Sequence, residues 1–266
     1  MDRALTFIGT ATTLLRLGPF TVLTDPNFIH RGQWVYLGYG LMSRRRTEPA
    51  MQPGDLPPLD AVLLSHLHAD HFDRVARDSL DKQLPIVTTR QAADKLEARG
   101  FSATVPLEPW TTHELVSGDH RLRVTATPGT HGPGIIGRLL PQVMGSVVEL
   151  ERNGETVTRF WITGDTLFRP ELAAVRDRFP DLDAMVIHLG GTRVLGILLT
   201  MDGRQGTDLV DLIRPPVTIP IHYDDYGVFK SPLSDFVSEM RHRDVKSEIR
   251  TPVRGETVSL PDQLPG

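Results

Sequence analysis

The chain of 266 residues contains no cysteine. Disulfides, a thiolate nucleophile and cysteine-ligated zinc are therefore excluded, and the absence fits a reducing cytoplasm. Long apolar runs are also missing. The longest, around Val194–Met201, falls far short of the ~20 residues that cross a bilayer. The opening MDRALTFIGT has none of the charged, apolar and cleavage regions of a secretory signal. We therefore expect a cytoplasmic protein without a transmembrane segment. Charge of one sign is not in excess: 29 Lys and Arg face 33 Asp and Glu, for a net charge of −4. That balance argues against nucleic acid as a partner. The consecutive Arg44, Arg45 and Arg46 are a local exception, read either as a contact for an anionic group or as a solvated face. No linker, charge block, low-complexity stretch or short repeat divides the chain, so one domain over residues 1–266 is expected.

What the chain does have is a succession of strands and helices. Leu5–Gly9, Thr13–Leu17 and Phe20–Thr24 are β-prone runs, with Gly18-Pro19 as a turn. A glycine- and aromatic-rich loop follows from Phe28 to Pro58, with Trp34, Tyr36 and Tyr39 in it; a loop that long is more often functional than accidental. Asp60–Ser65 reads as a buried strand and Pro85–Thr88 as another. Asp73–Leu80 and Gln91–Arg99 read as helices, the second stopped by Gly100. His113–Val116, Arg121–Thr127, Ser146–Leu150 and Thr156–Thr163 follow as strands, with Asn153-Gly154 as a hairpin turn. Glu171–Phe179, Thr207–Arg214 and Pro232–Arg243 read as helices, Ala184–Leu189 and Val217–Ile221 as buried strands, and the tail as a weak β-ribbon. Strands and helices mixed in both halves suggest an α/β protein, with sheets packed face to face and helices outside.

The chemistry concentrates in Ser65-His66-Leu67-His68-Ala69-Asp70-His71, directly after a predicted buried strand. Alternate side chains of an extended segment share a side, so His66 and His68 are expected to aim at one metal. Asp70 and His71, where the chain turns, are expected to aim at a second point nearby. Imidazole and carboxylate suit zinc, and also iron or manganese. His131, Asp165 and His222 each follow a predicted strand. A lone strand-end His or Asp is more often structural, but strand ends along one sheet edge converge. His30, His113, His120 and His242 have no such context and are read as surface or turn residues.

The ordered pattern His66-x-His68-x-Asp70-His71, then His131, Gly164-Asp165 and His222, resembles the metallo-β-lactamase superfamily and its dinuclear members. The resemblance implies an αββα sandwich of two mixed β-sheets with helices on both outer faces. It implies that His66, His68 and His131 hold one metal, that Asp70, His71 and His222 hold the other, and that Asp165 bridges them. Zinc is the default and manganese the alternative. Leu23-Thr24-Asp25-Pro26, the Leu-Gly-Gly at 189–191 and Thr200-Met201-Asp202 are similar to the branch with ascorbate-6-phosphate lactonase and N-acyl-phosphatidylethanolamine phospholipase D. In that branch Asp25 lies near the metal motif; a plain turn role is the other reading.

Two metals ~3.5–4 Å apart can share a hydroxide and lower its pKa towards ~7. The resemblance thus implies a hydrolase whose bridging hydroxide attacks a small-molecule ester, lactone or phosphodiester, with Asp70 and Asp165 as catalytic carboxylates. His188 departs from the pattern, which has a small or apolar residue there; it is read as a substrate contact or proton donor, or else as a buried structural histidine. A nuclease of the same fold and a non-catalytic metal-binding scaffold are the alternatives. The charge balance argues against the first and the complete ligand set against the second. The long loop, Ile135, Ile136, Leu139, Leu140, Val143 and Met144 after His131, and Val194–Met201 should line the mouth. Their apolar character fits an amphiphilic substrate. The other reading is that these segments pack on each other or on a second subunit of a homo-oligomer.

Overall fold

The computed structural model describes residues 3–37, 40–134 and 140–261. Tyr39, Ile135, Ile136 and Leu139 lie outside the described residues. Period-two burial makes the two sheets. In β1 (Arg3–Gly9) Leu5 and Phe7 face one way and Ile8 the other. In β13 (Ala184–His188) Ala184 and Val186 face inwards while Met185 and Ile187 face the helices. The first sheet has seven strands in the order β18-β1-β2-β3-β6-β7-β8, where β2 is Thr12–Leu17, β3 Phe20–Thr24, β6 Ala61–Leu63, β7 Ile86–Thr89, β8 Thr104–Leu107 and β18 Thr257–Ser259. β1, β2 and β3 are antiparallel neighbours; β3, β6, β7 and β8 run parallel.

The second sheet repeats that plan in the order β17-β16-β13-β12-β11-β10-β9. Here β9 is Thr112–Ser117, β10 His120–Pro128, β11 Met144–Arg152, β12 Glu155–Ile162, β16 Val217–Ile221 and β17 Glu248–Ile249. β9, β10, β11 and β12 are antiparallel neighbours, and β12, β13, β16 and β17 run parallel. Leu15, Val22, Val148, Phe160 and Ile219 fill the layer between the sheets. The helices α1 (Arg74–Ser79) and α2 (Arg90–Glu97) cover the outer face of the first sheet through Ala76, Ala92 and Leu96. α3 (Ala173–Arg178), α4 (Gly203–Ile213) and α5 (Leu233–His242) cover the second through Val175, Val210 and Phe236. This is the expected αββα sandwich of mixed sheets. No helix among the described residues is long and apolar enough to cross a membrane.

Several expectations need correction. The 28–58 segment is not a plain loop: β4 (Trp34–Tyr36) and β5 (Met42–Arg44) form a hairpin in it. Val35 and Ser43 face inwards while Trp34, Tyr36 and Met42 stay exposed, so alternation is present over strands too short to stand out. The tail is not one ribbon, since β17 extends the second sheet and β18 the first. β8 gives little sign of itself in the sequence, because Thr104-Val105-Pro106-Leu107 is only half-buried and carries a proline at a sheet edge. β14 (Arg193–Val194) and β15 (Ile197–Leu198) form a further small hairpin.

Of the arginine run, Arg44 and Arg46 are exposed, as in a solvated face, and only Arg45 is drawn inside. Arg45 is 1% exposed; its guanidinium donates to the Asn27 and Thr47 carbonyls and to Asn27 Oδ1, 3.7 Å from Asp225. A buried guanidinium must find such partners or bear its full desolvation penalty.

Asp73 fixes the entry to this segment. Its Oδ2 accepts from the Phe28 and Ile29 N–H groups at 2.5 and 2.6 Å, and its Oδ1 caps α1 at Ala76 N–H, 2.8 Å. Removing the carboxylate strands buried donors. Asp73→Ala is expected to cost about 3–5 kcal/mol, and Asp73→Asn, which keeps one acceptor, clearly less. Urea unfolding of the two variants measures the difference; equal losses would contradict this role for the carboxylate.

Candidate metal centre

The strand ends of both sheets meet along one edge. β6 stops at Leu63, earlier than the predicted strand, so His66 and His68 stand on irregular chain beyond it. They converge all the same: His66 Nε2 lies 3.0 Å from His68 Nδ1. The turn is closed by the His71 and Phe72 N–H groups, both donating to the His68 carbonyl. That turn swings Asp70 and His71 to the other side. His131 follows β10, Asp165 follows β12 and His222 follows β16. Gly164 carries the chain into Asp165 at φ +63°, and a Cβ there would lie 2.5 Å from the Met144 carbonyl oxygen. His222 itself has φ +62°, an uncommon backbone state for a non-glycine residue that often marks functional sites.

Coordinating nitrogens must present lone pairs, and the backbone sets which one each ring presents. The Leu199 carbonyl accepts from His131 Nδ1 at 3.1 Å, and the Leu189 carbonyl from His222 Nδ1 at 3.3 Å. Carbonyls only accept, so both rings turn Nε2 to the site. His66, His68 and His131 offer ligand atoms all within 4.8 Å of one another, as do Asp70, His71 and His222, and also His66, His71 and Asp165. Asp165 lies between, with Oδ2 3.2 Å from His71 Nε2 and Oδ1 3.5 Å from His222 Nδ1. Asp70 Oδ1, His71 Nε2, Asp165 Oδ1 and His222 Nε2 are buried without a hydrogen-bond partner. Each such atom costs about 1–3 kcal/mol unless something satisfies it. All four belong to residues of the triads above, and divalent cations held by those triads would satisfy them. The donor set thus fits the metal that the sequence implies.

The charges divide the cluster. Burial pushes the imidazoles of His66, His68 and His131 below their usual range, His68 to about 4. These rings are neutral at pH 7, with lone pairs available. Burial also disfavours charge on His71 and His222, but Asp165 outweighs it and raises both, helped by Asp25 and Asp70 at His71 and by Asp70 at His222. Burial likewise opposes the charged forms of Asp70 and Asp165, and the cationic rings of His71 and His222 overcome it and lower both carboxyls.

Behind the ligands sits Asp25. Its Oδ1 accepts from Ser65 N–H and Oγ at 2.8 and 2.9 Å; its Oδ2 lies 3.3 Å from His71 Nδ1 and 3.5 Å from His188 Nε2. Burial alone would raise this carboxyl, yet the His71 charge and hydrogen bonds from His188 and His71 hold it at about 2. His188 is fully buried and stacks behind His71, ring centres 6.0 Å apart. β13 thus ends in the layer behind the cluster, and His188 does not line the cavity in front of it. Of the other histidines, His30 and His242 are exposed, and His113 and His120 are half-buried on β9 and β10.

In front of the ligands opens a cavity of about 220 Å³. His68, Asp70, His131 and Asp165 form its floor. Leu37 and Leu41 from the β4–β5 hairpin, Leu140, and Val194, Leu195, Ile197 and Leu199 form its walls. Each segment expected at the mouth contributes, although nothing in the sequence marks Leu37 and Leu41 as wall residues. Val143 and Met144, expected here too, are buried and line a neighbouring groove instead.

The fit around Gly164 generates a direct test. Gly164→Ala must hold a left-handed residue at about 1–2 kcal/mol and displace the Met144 carbonyl or Asp165. Lower thermal stability together with weaker metal uptake in equilibrium dialysis is expected. Unchanged metal affinity would show that Asp165 is not placed by this turn.

Comparison with known proteins agrees with the geometry. The sequence profile described as the beta-lactamase superfamily domain matches residues 21–223. A UPF0173 metal-dependent hydrolase of Thermoplasma acidophilum is 27% identical over 68% of this chain and 72% of its own. A second, of Halobacterium salinarum, is 26% identical over 98% of this chain and 99% of its own. Among solved structures, the isothiocyanate hydrolase from Delia radicum gut bacteria superposes with a TM-score of 0.82 at 22% identity, covering 98% of this chain and 100% of that one. With the strand-end His and Asp cluster and the two-sheet sandwich, these matches show that the chain belongs to the β-lactamase superfamily and is a metal-dependent hydrolase of the metallo-β-lactamase fold.

Proposed function

We propose that the protein is a dinuclear hydrolase of a small-molecule ester, lactone or phosphodiester. The observation that carries this reading is the pair of ligand groups, His66–His68–His131 and Asp70–His71–His222, joined across Asp165 with four buried ligand atoms otherwise unsatisfied. Two divalent ions, zinc by default and manganese as the alternative, supply Lewis acidity and a water of lowered pKa. The chain's own part is positioning. The Leu199 and Leu189 carbonyls set the tautomers of His131 and His222. Asp25 and Ser65 hold His71 from behind. Asp70 and Asp165 keep their charge despite burial, so they stay available as anionic ligands at neutral pH. The apolar walls exclude bulk water and accept the non-reacting part of the substrate, which strengthens polar interactions on the floor.

No serine-centred alternative competes with this reading: Ser65 Oγ is committed to Asp25, His66 and His71 behind the ligands. One structure of similar fold is that of an isothiocyanate hydrolase, and an alkyl isothiocyanate belongs in the substrate panel on that fold-level analogy alone.

The deciding experiment is hydrolysis of a chromogenic phosphodiester and a lactone series by zinc- and manganese-loaded protein, with Asp70→Ala as the control. Turnover of either class, abolished in Asp70→Ala, supports the proposal. Two ions bound with no turnover on any member of the panel would refute it. The charge division predicts a pH effect. His71 and His222 have raised pKa values, so their protons are held at low pH and released as pH rises. The neutral ring trio needs no such release. Calorimetry should therefore show the second ion binding more tightly as pH rises, with proton release; an affinity independent of pH and no released proton would contradict the division. Finally, each methylene added to an acyl substrate should raise kcat/KM by up to about fourfold, the equivalent of its burial, until the cavity is full. A flat series would remove the apolar walls from substrate recognition.

A further inference from the structure

A second approach reaches the same floor. Outside the apolar cavity, a groove of about 680 Å³ runs up to His68, lined by residues of α1 and α2 and by Tyr36. Arg74 and Arg77 stand one turn apart on α1. Lys95 and Arg99 continue from Gln91 at spacings of four along and just beyond α2, which keeps them on one side. All four cations are exposed. Arg77 pairs with Asp78 at 2.7 Å; among the described residues no ion pair joins Arg74, Lys95 or Arg99 to a carboxylate. The one carboxylate lining the groove, Asp73, is 2% exposed, and its oxygens are taken by the Phe28, Ile29 and Ala76 N–H groups.

A solvated helix surface usually mixes signs, and this chain as a whole carries a net charge of −4. The concentration of positive charge at the rim of a metal floor is therefore against the average, and a concave cationic wall focuses anions. His68 belongs to both the groove and the apolar cavity. The two openings thus differ in chemistry and meet at one ligand.

From this we infer that the substrate is an anionic amphiphile that straddles His68. Its alkyl or acyl part lies in the cavity walled by Leu37, Leu41 and Ile197, and its anionic part lies in the groove against Arg74, Lys95 and Arg99. The inference rests on the proposed hydrolase reading for the position of the scissile bond, between the two parts. It does not rest on that reading for binding. A neutral amphiphile would leave the groove unused, and a small anion would leave the cavity unused.

Binding is the test, measured by calorimetry on the metal-loaded protein with octyl phosphate, octanol and inorganic phosphate as probes. Octyl phosphate should bind at least about tenfold more tightly than either half alone, and the gain should shrink with added salt. The double variant Lys95→Glu/Arg99→Glu should weaken octyl phosphate by roughly tenfold and leave octanol unchanged. Lys246→Glu, a charge change at a site away from the groove, should alter neither. Octyl phosphate no tighter than octanol, or insensitive to the double variant, overturns the inference. So does a thymidine hexamer that binds more tightly than octyl phosphate, because that would assign the groove to a nucleic-acid backbone. Vesicles of phosphatidylglycerol in phosphatidylcholine add the source. Co-sedimentation with these, but not with phosphatidylcholine alone, supports an amphiphile met in a lipid surface, and its absence alongside tight octyl phosphate binding supports one met in solution. Because these readouts are affinities, they stand or fall separately from turnover on the substrate panel.

Discussion

A carboxylate taken out of water must be paired, or it gives up its charge. Asp25 is held charged inside the sandwich, and much of the centre is arranged around that requirement. Its four close neighbours come from different places: the Ser65 N–H and hydroxyl and the His71 ring lie beyond β6, and the His188 ring ends β13. β6 is in one sheet and β13 in the other. One buried negative charge therefore fastens the two sheets together directly behind the ligand cluster. It also sets the direction of His71, whose opposite nitrogen reaches Asp165. The ligands in front can be preorganised because the charge behind them has nowhere else to go.

The repeated sheet plan explains why ligands so far apart in sequence share one edge. Each sheet begins as an antiparallel meander and continues as parallel strands. Parallel strands end on the same side, and polar side chains placed just after them meet in the crevice outside the sheet, where α/β proteins commonly bind ligands. β6, β12 and β16 deliver His66 to His71, Asp165 and His222 in this way. β10 is antiparallel to β11 yet delivers His131 to the same place, because its carboxyl end lies beside the start of β11 at Pro128 and Met144.

Much of this was legible because the signals are local. Val217–Ile221 and Phe20–Thr24 are the observed strands to the residue, since both are short β-branched or apolar runs with clear turn residues at their ends. The convergence of the candidate ligands was legible because three histidines and an aspartate crowd into six residues directly after a buried run, a density that metal ligation requires and a structural turn does not. Long-range pairing was not legible. Asp25 could be a turn residue on sequence alone, and only the fold brings His188 within 3.5 Å of it. The same holds for Arg45, whose neighbours in sequence promised a wet surface while Asn27 and Asp225 draw it inside. The cationic groove had a faint signature in the spacing of Gln91, Lys95 and Arg99, but nothing in that spacing names His68 as its end.

The two walls of the apolar cavity are tied to the body very differently. On one side, Arg45, at the base of the β4–β5 hairpin, reaches Asp225, which also accepts from Thr10 N–H at 2.8 Å and Arg254 Nε at 3.2 Å. That anchor sits three residues past His222, and Arg254 just ahead of β18, so this wall shares its footing with a metal ligand and with the strand that closes the first sheet. On the other side, the β14–β15 hairpin is pinned at its base, where the Leu199 carbonyl holds His131, while Leu195 at its tip is 97% exposed. A change in the first wall disturbs the His and Asp floor, whereas a change in the second tip touches only what the floor is shown. The segment 193–198 can therefore be reshaped to admit a different guest without moving the floor, whereas the opposite wall cannot be rebuilt on its own.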